Sequence, residues 1–196
     1  MRILFKSLPC LCHYPRSMEH GRQVLLLTGP PGSGKSTVAR LLVSRFDRAV
    51  HLLSDEFFHF IRAGYVDPWK PESHEQNKVV MAAVADAATT FTRAGYFTIV
   101  DGILIPGWFY EPVDLQLRSE GIDVSAVVLR PPLDVCLTRV AGRRENERQP
   151  DTAAIAQLWE SFGDVGELES FVIDNRAQAA QTTADIVYAR LALPGI

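Results

Sequence analysis

Cysteine is scarce in this 196-residue chain: Cys10, Cys12 and Cys136 are odd in number and lack the spacing of a zinc site. That pattern excludes a disulfide framework and fits a reducing, cytoplasmic setting. No apolar run approaches the roughly 20 residues that cross a bilayer. An excess of one charge sign is also missing, because 20 Lys and Arg against 23 Asp and Glu leave a net charge of −3. Neither nucleic acid nor an anionic membrane is therefore expected as a partner. Internal repeats and low-complexity segments do not occur. What remains has the length of one α/β domain with a full core.

Met1 to His20 stands apart from the rest. It carries Arg2, Lys6 and Arg16, two prolines and the Cys10/Cys12 pair, without sustained periodicity. Lys6 and Pro9 cut short the apolar stretch Ile3-Leu4-Phe5, so it does not make the core of a secretory signal. Residues 1–21 read as a flexible tail, or as an extension ahead of Met18 as the true start. Residues 22–196 read as one domain.

From Gln23 onward, strand and helix patterns alternate, which argues for a parallel sheet covered on both faces. Strands are expected at Gln23–Thr28, Ala49–Leu53, Phe97–Val100, Val124–Leu129 and Phe171–Ile173. Helices are expected from Lys35 to about Phe46, from Ser54 through Ile61, and from about His74 to Ala94. Others should follow Pro131-Pro132, begin near Asp151, and run from about Thr182 to Leu191. In the long third helix Val79, Val80, Ala83, Val84, Ala87 and Phe91 fall on one face at helical spacing.

The first strand runs into Gly29-Pro30-Pro31-Gly32-Ser33-Gly34-Lys35-Ser36-Thr37. A glycine-rich turn between strand and helix is the context of a phosphate-binding loop, or P-loop. Glycines let successive N–H groups point inward, and the helix N-terminus adds partial positive charge. Lys35 can reach the β- and γ-phosphates, and the Ser36 hydroxyl can hold Mg²⁺. The chain is expected to bind a nucleoside triphosphate.

Two carboxylates accompany the loop. Asp101 ends the third strand, where a P-loop protein places a carboxylate beside Mg²⁺; an Asp before Gly102 also suits a turn. Asp55 follows the second strand at the carboxyl edge of the sheet, where ligands of open α/β sheets bind. It can accept the proton of an attacking hydroxyl, a role compatible with capping the helix that starts there. Arg139, Arg143, Arg144 and Arg148 lie within ten residues. On their own, with Glu145 and Glu147 between them, they would read as a solvated helix face. With a P-loop upstream they read as a lid whose guanidinium groups meet a transferred phosphoryl group.

Together the P-loop with Lys35 and Ser36, Asp55, Asp101-Gly102 and Arg139-x-x-Gly142-Arg143 resemble the small P-loop kinases: adenylate, shikimate, gluconate and chloramphenicol kinases. The similarity covers about residues 23 to 192. His51-x-x-Ser54-Asp55, Val66-Asp67-Pro68-Trp69 and Ser73-His74-x-Gln76-Asn77 look most like bacterial kinase-like proteins related to chloramphenicol phosphotransferase. The resemblance implies a five-stranded parallel sheet in order 2-3-1-4-5, ATP with Mg²⁺, and a lid at about 139–150. It implies that Arg139 packs on adenine and that Arg143 meets the transferred group, with Arg144 or Arg148 as competitors. Asn175, within Asp174-Asn175-Arg176, falls in the family's adenine loop.

One departure bears on the acceptor. Adenylate-type kinases follow their Asp-Gly with an arginine that grips the acceptor's phosphate, whereas this chain has Ile103-Leu104-Ile105-Pro106. An unphosphorylated small-molecule alcohol is the expected acceptor. The expected acceptor-side segments hold Phe57, Phe58, Phe60, Tyr65, Trp69, Trp108, Phe109 and Tyr110; several of these read as core, and Trp69 and Trp108, in proline- and glycine-bearing loops, suggest that the acceptor is apolar or ring-bearing. Arg62, His59 and His74 are polar candidates to orient it, although His74 equally suits a helix start. A monomer or homodimer is expected. An ATP-binding regulatory protein or slow ATPase, and a nucleoside or nucleotide kinase, stay open as alternatives.

Overall fold

The computed structural model describes residues 23–142 and 152–191. The expected tail and Arg143, Arg144 and Arg148 lie outside the described residues. In chain order the elements are β1 (Gln23–Thr28), α1 (Lys35–Val43), β2 (Ala49–Leu53), α2 (Ser54–His59), α3 (His74–Arg93), β3 (Phe97–Asp101), α4 (Tyr110–Ser119), β4 (Asp123–Leu129), α5 (Leu133–Ala141), α6 (Thr152–Glu160), β5 (Val172–Ile173) and α7 (Ala180–Leu191). Short 3₁₀ turns at Pro71–Ser73 and Gly166–Phe171 complete them.

The five strands form one parallel sheet in the order β2-β3-β1-β4-β5. Every β1 residue is buried, as expected of a central strand covered on both faces. Alternation then sorts its side chains. Val24 and Leu26 pack with Val100 against Val84 and Ala88 of α3 and Val113 and Leu117 of α4. Leu25 and Leu27 pack with Ile99 against Val38 and Leu42 of α1 and Val187 of α7. Helices thus cover both faces. No described helix is long and apolar enough to cross a membrane.

The structure differs from the sequence-based expectation in two elements. Helix α4 was not anticipated; only Val113 and Leu117 of its ten residues are buried, so its apolar stripe is thin. The buried face of α3 is rotated from the expected one. Val80, Met81, Val84, Ala85 and Ala88 face the core, whereas Val79 is 69% and Phe91 38% exposed. Asn77, Thr89 and Thr92 complete the buried stripe, and a count of apolar residues alone passes over them.

Candidate active site

Parallel strands end together, so the segments leaving β1, β2, β3 and β5 converge at one edge of the sheet. The loop 29–34 leaves β1 and turns directly into α1. Gly32 has φ +81°, and a Cβ there would stand 2.4 Å from the Cys136 carbonyl oxygen of α5, so no side chain fits. Lys35 is buried and folds back over the loop. Its Nζ donates to the Gly29 carbonyl at 2.7 Å and the Pro30 carbonyl at 3.1 Å.

The far side of the loop is held from α5 and from the segment after β5. The Ser33 carbonyl accepts from Asn175 Nδ2 at 2.9 Å and from Arg139 Nη1 at 3.2 Å. Arg139 Nη2 donates in turn to the Asn175 carbonyl at 3.0 Å. Both residues assigned to the adenine side by resemblance therefore also brace the phosphate loop. Arg139 sits in the last turn of α5, so the expected lid begins inside a helix. Ser33 Oγ and Asn175 Oδ1 are buried without a hydrogen-bond partner, which leaves acceptors and a hydroxyl beside the loop.

Asp101 is 3% exposed at the end of β3. It shares a face with Phe97 and Ile99, the face packed by α1, and so lies on the side of the sheet where Lys35 and Ser36 open that helix. Its Oδ2 is 2.9 Å from Nε2 of His51 on β2. Beyond it the chain is pinned: Gly102 N–H donates to the Leu27 carbonyl, and the Thr28 hydroxyl bonds both the N–H and the carbonyl of Leu104.

Asp55 occupies the first turn of α2. The residue is exposed, yet protein atoms gather around its carboxyl, and that crowding raises its pKa above the ordinary 3.8. The Lys35 ammonium pulls it down, the Asp101 carboxylate pushes it up, and His59 and Glu56 act more weakly in opposite senses. Lys35, Asp55 and Asp101 thus share one electrostatic neighbourhood. Ser36 and Asp101 supply hard oxygen donors, which suits Mg²⁺; no cluster of three or more His, Cys, Asp or Glu able to hold a metal occurs among the described residues. A Mg²⁺ that keeps several waters and binds substrate phosphate needs no such cage.

Phe58 and Phe109 are core, and Trp108 packs against that core and stacks on Phe109. Trp69 and Trp108 both line a small groove with Ile105, Ala154, Gln157 and Leu158. Trp69 rides on a loop tied to α3: Gln76 exchanges two bonds with the Val66 backbone, and Asn77 and the Ser73 hydroxyl both donate to the Pro68 carbonyl. Arg62 and His59 are exposed, and His74 is the first residue of α3. His51 was not singled out from the residues as a site candidate. The available signal was an imidazole in an otherwise apolar strand that runs toward Asp55.

Residues 24–164 match the AAA domain family. No curated protein matches significantly. Among solved structures, the tunicamycin resistance protein of Deinococcus radiodurans is similar, with 20% identity over 87% of this chain and 96% of that one and a TM-score of 0.65. The APS kinase of Mycobacterium tuberculosis, in complex with AMPPNP and APS, gives 18% identity over 87% and 98%, with a TM-score of 0.64. The shikimate kinase of Acinetobacter baumannii, in complex with shikimate, gives 20% over 87% and 92%, with a TM-score of 0.59. At these identities the solved structures speak to the fold, and the family match spans well over half of the chain. The chain belongs to the AAA domain family and shares the P-loop kinase-like fold of these solved structures.

Proposed function

We propose that this protein is a kinase that moves the γ-phosphoryl group of ATP to a hydroxyl of a small, unphosphorylated molecule. The observation that carries the reading is the place of Asp55, in the first turn of α2 directly after β2 at the edge of the sheet that holds the phosphate loop, where Lys35 and Asp101 act on it more strongly than any other charge. A carboxylate whose pKa is raised above its ordinary value is a better acceptor for an alcohol proton. The kinase-like fold of the APS kinase and shikimate kinase structures agrees with it.

In this reading the amides of Gly29, Gly32, Ser33, Gly34, Lys35, Ser36 and Thr37 cradle the phosphates, with Pro30 shaping the turn. The Lys35 ammonium leaves the Gly29 and Pro30 carbonyls for phosphate oxygens. Asp55 takes the proton of the acceptor hydroxyl as its oxygen attacks the γ-phosphorus. The bond to the bridging oxygen breaks, and ADP leaves with those electrons. Ser36 and Asp101 would hold Mg²⁺, which when bound offsets charge on the phosphates. Arg139 and Asn175 flank the base side of the loop. From the sequence, Arg143, with Arg144 or Arg148, stabilises the transferring group.

The acceptor side supports an unphosphorylated substrate. After Gly102 the chain turns inward through buried Leu104 and Ile105, with no cation where adenylate-type kinases hold a phosphate-gripping arginine. An apolar or ring-bearing alcohol suits that apolar stretch better than a phosphorylated one. ADP release with Mg-ATP, measured against a panel of small alcohols, aminocyclitols, nucleosides and phenylpropanoid antibiotics, tests the reading, with Lys35→Ala as the blank. Acceptor-dependent release that vanishes in the blank supports it. Nucleotide binding without any acceptor-dependent turnover moves the assignment to a regulatory ATP-binding protein.

A further inference from the structure

The imidazole of His51 is only 14% exposed, and its Nε2 lies 2.9 Å from Oδ2 of the nearly buried Asp101. Sheet register explains the approach. Leu53 of β2 stands opposite Asp101 and His51 opposite Ile99, so the ring reaches diagonally across one face of the sheet. A buried carboxylate needs a donor, and Nε2–H supplies one to a single oxygen. Asp101 meets added repulsion from Asp55, with which it interacts at the same edge. A buried ionisable pair of this kind adds little net stability. Its geometric effect is larger: a carboxylate that could rotate about its last bond is held with Oδ2 toward β2.

We propose that His51 is a positioning residue that fixes Asp101 so that its other oxygen, Oδ1, serves the Mg²⁺–nucleotide side of the site. The proposal rests on the kinase reading above. Hydrogen bonds to a ligating carboxylate set its orientation and its strength as a ligand. His51 touches no reacting atom in this arrangement and acts through Asp101 alone.

The test is equilibrium binding of a fluorescent ATP analogue to the full chain, titrated with Mg²⁺ and repeated in chelator, for wild type, His51→Leu, His51→Asn and His51→Gln. His51→Leu is expected to raise the Mg²⁺ concentration at half-effect about tenfold, the lower range seen on removing a partner of a metal ligand. Metal-free affinity should stay within about twofold, because the phosphate loop itself is untouched. His51→Gln, whose amide can donate over a similar reach, should restore the wild-type midpoint. His51→Asn, which is too short, should not, and it serves as the second loss variant should His51→Leu fail to fold. An unchanged midpoint in the loss variants overturns the proposal. So does a parallel loss of metal-free affinity and of Tm that His51→Gln fails to relieve. A wild-type chain that binds the analogue equally with and without Mg²⁺ removes the metal reading itself and the proposal with it, while a chain that binds no analogue at all removes the kinase reading.

Discussion

Gly102 offers a clean steric perturbation of the site. Its φ lies outside the left-handed range, so alanine meets no backbone strain there; the obstacle is space. A Cβ at this position would stand 2.0 Å from Ser54 Oγ and 3.0 Å from Ser54 Cβ. Ser54 is 1% exposed and immediately precedes Asp55, so it has no open side to move into. Gly102→Ala should therefore push on the start of α2. Overpacking of this sort costs about 1–3 kcal/mol. For a chain of this length that is a fall in Tm of about 2–4 °C per kcal/mol. Ser54→Ala removes the atom at 2.0 Å but leaves the one at 3.0 Å, so the double variant should recover part of the loss. A coupling of about 1 kcal/mol or more in the cycle is expected for residues in direct contact. Thermal unfolding of the four proteins measures it. Turnover should fall more steeply than stability, by about 10- to 100-fold, because displacing a reacting group by about 1 Å costs that much. Binding of ATP should change little. Additive losses in the cycle, with no recovery in the double variant, would refute the steric argument and the placement of Ser54 against Gly102.

Lys35→Ala should abolish turnover and weaken ATP binding, checked by ADP release and by titration with a fluorescent analogue. Asp55→Asn should remove phosphoryl transfer while ATP still binds; full turnover in this variant would sink the base assignment. The same substitution should raise Tm at neutral pH. A carboxyl whose folded pKa is raised is destabilised when ionised, so its penalty is fully present above the folded pKa and is relieved as pH falls toward the ordinary 3.8. The Tm advantage of Asp55→Asn should accordingly shrink on acidification, and a constant advantage would refute the assigned direction. Asn175→Ala should cost about 1–2 kcal/mol by deleting a buried bond to the Ser33 carbonyl, leaving Arg139 as the brace. Guanidinium-denaturant unfolding and ATP affinity should both register the loss.

Much of this architecture was legible in the sequence because it is local. The boundaries of β1 and β2 follow from apolar runs bounded by glycine, serine and aspartate, and the P-loop announces itself by its glycines and Lys35. Sheet order came from the resemblance, and the pairing of β3 with both β1 and β2 agrees with it. Helix α4 escaped because Pro112 and a thin apolar stripe weaken its periodicity. The α3 face was misjudged because polar Asn77, Thr89 and Thr92 are buried by tertiary contacts: Asn77 bonds Pro68 and Ser73, and Thr92 bonds Thr98. His51 with Asp101, separated by 50 residues, meet across the β2–β3 pair, and Asn175 with Ser33, separated by 142, meet where the loops after β5 and β1 converge at one sheet edge. No spacing rule within a single segment reports such pairs.

Phe97, Ile99 and Asp101 share one side of β3 because side chains alternate along a strand. That parity limits how the chain can vary in length over generations. One residue inserted within β3 would carry Asp101 to the α3 face and aim an apolar neighbour at Ser36, even if every strand still paired. The stretch 61–72 between α2 and α3 is under no such rule, since its ties run to Gln76, Asn77 and Ser73 at one end of a helix. Relatives with different acceptors should therefore differ by insertions and deletions there, while the spacing from His51 to Asp55 and from Phe97 to Asp101 stays constant.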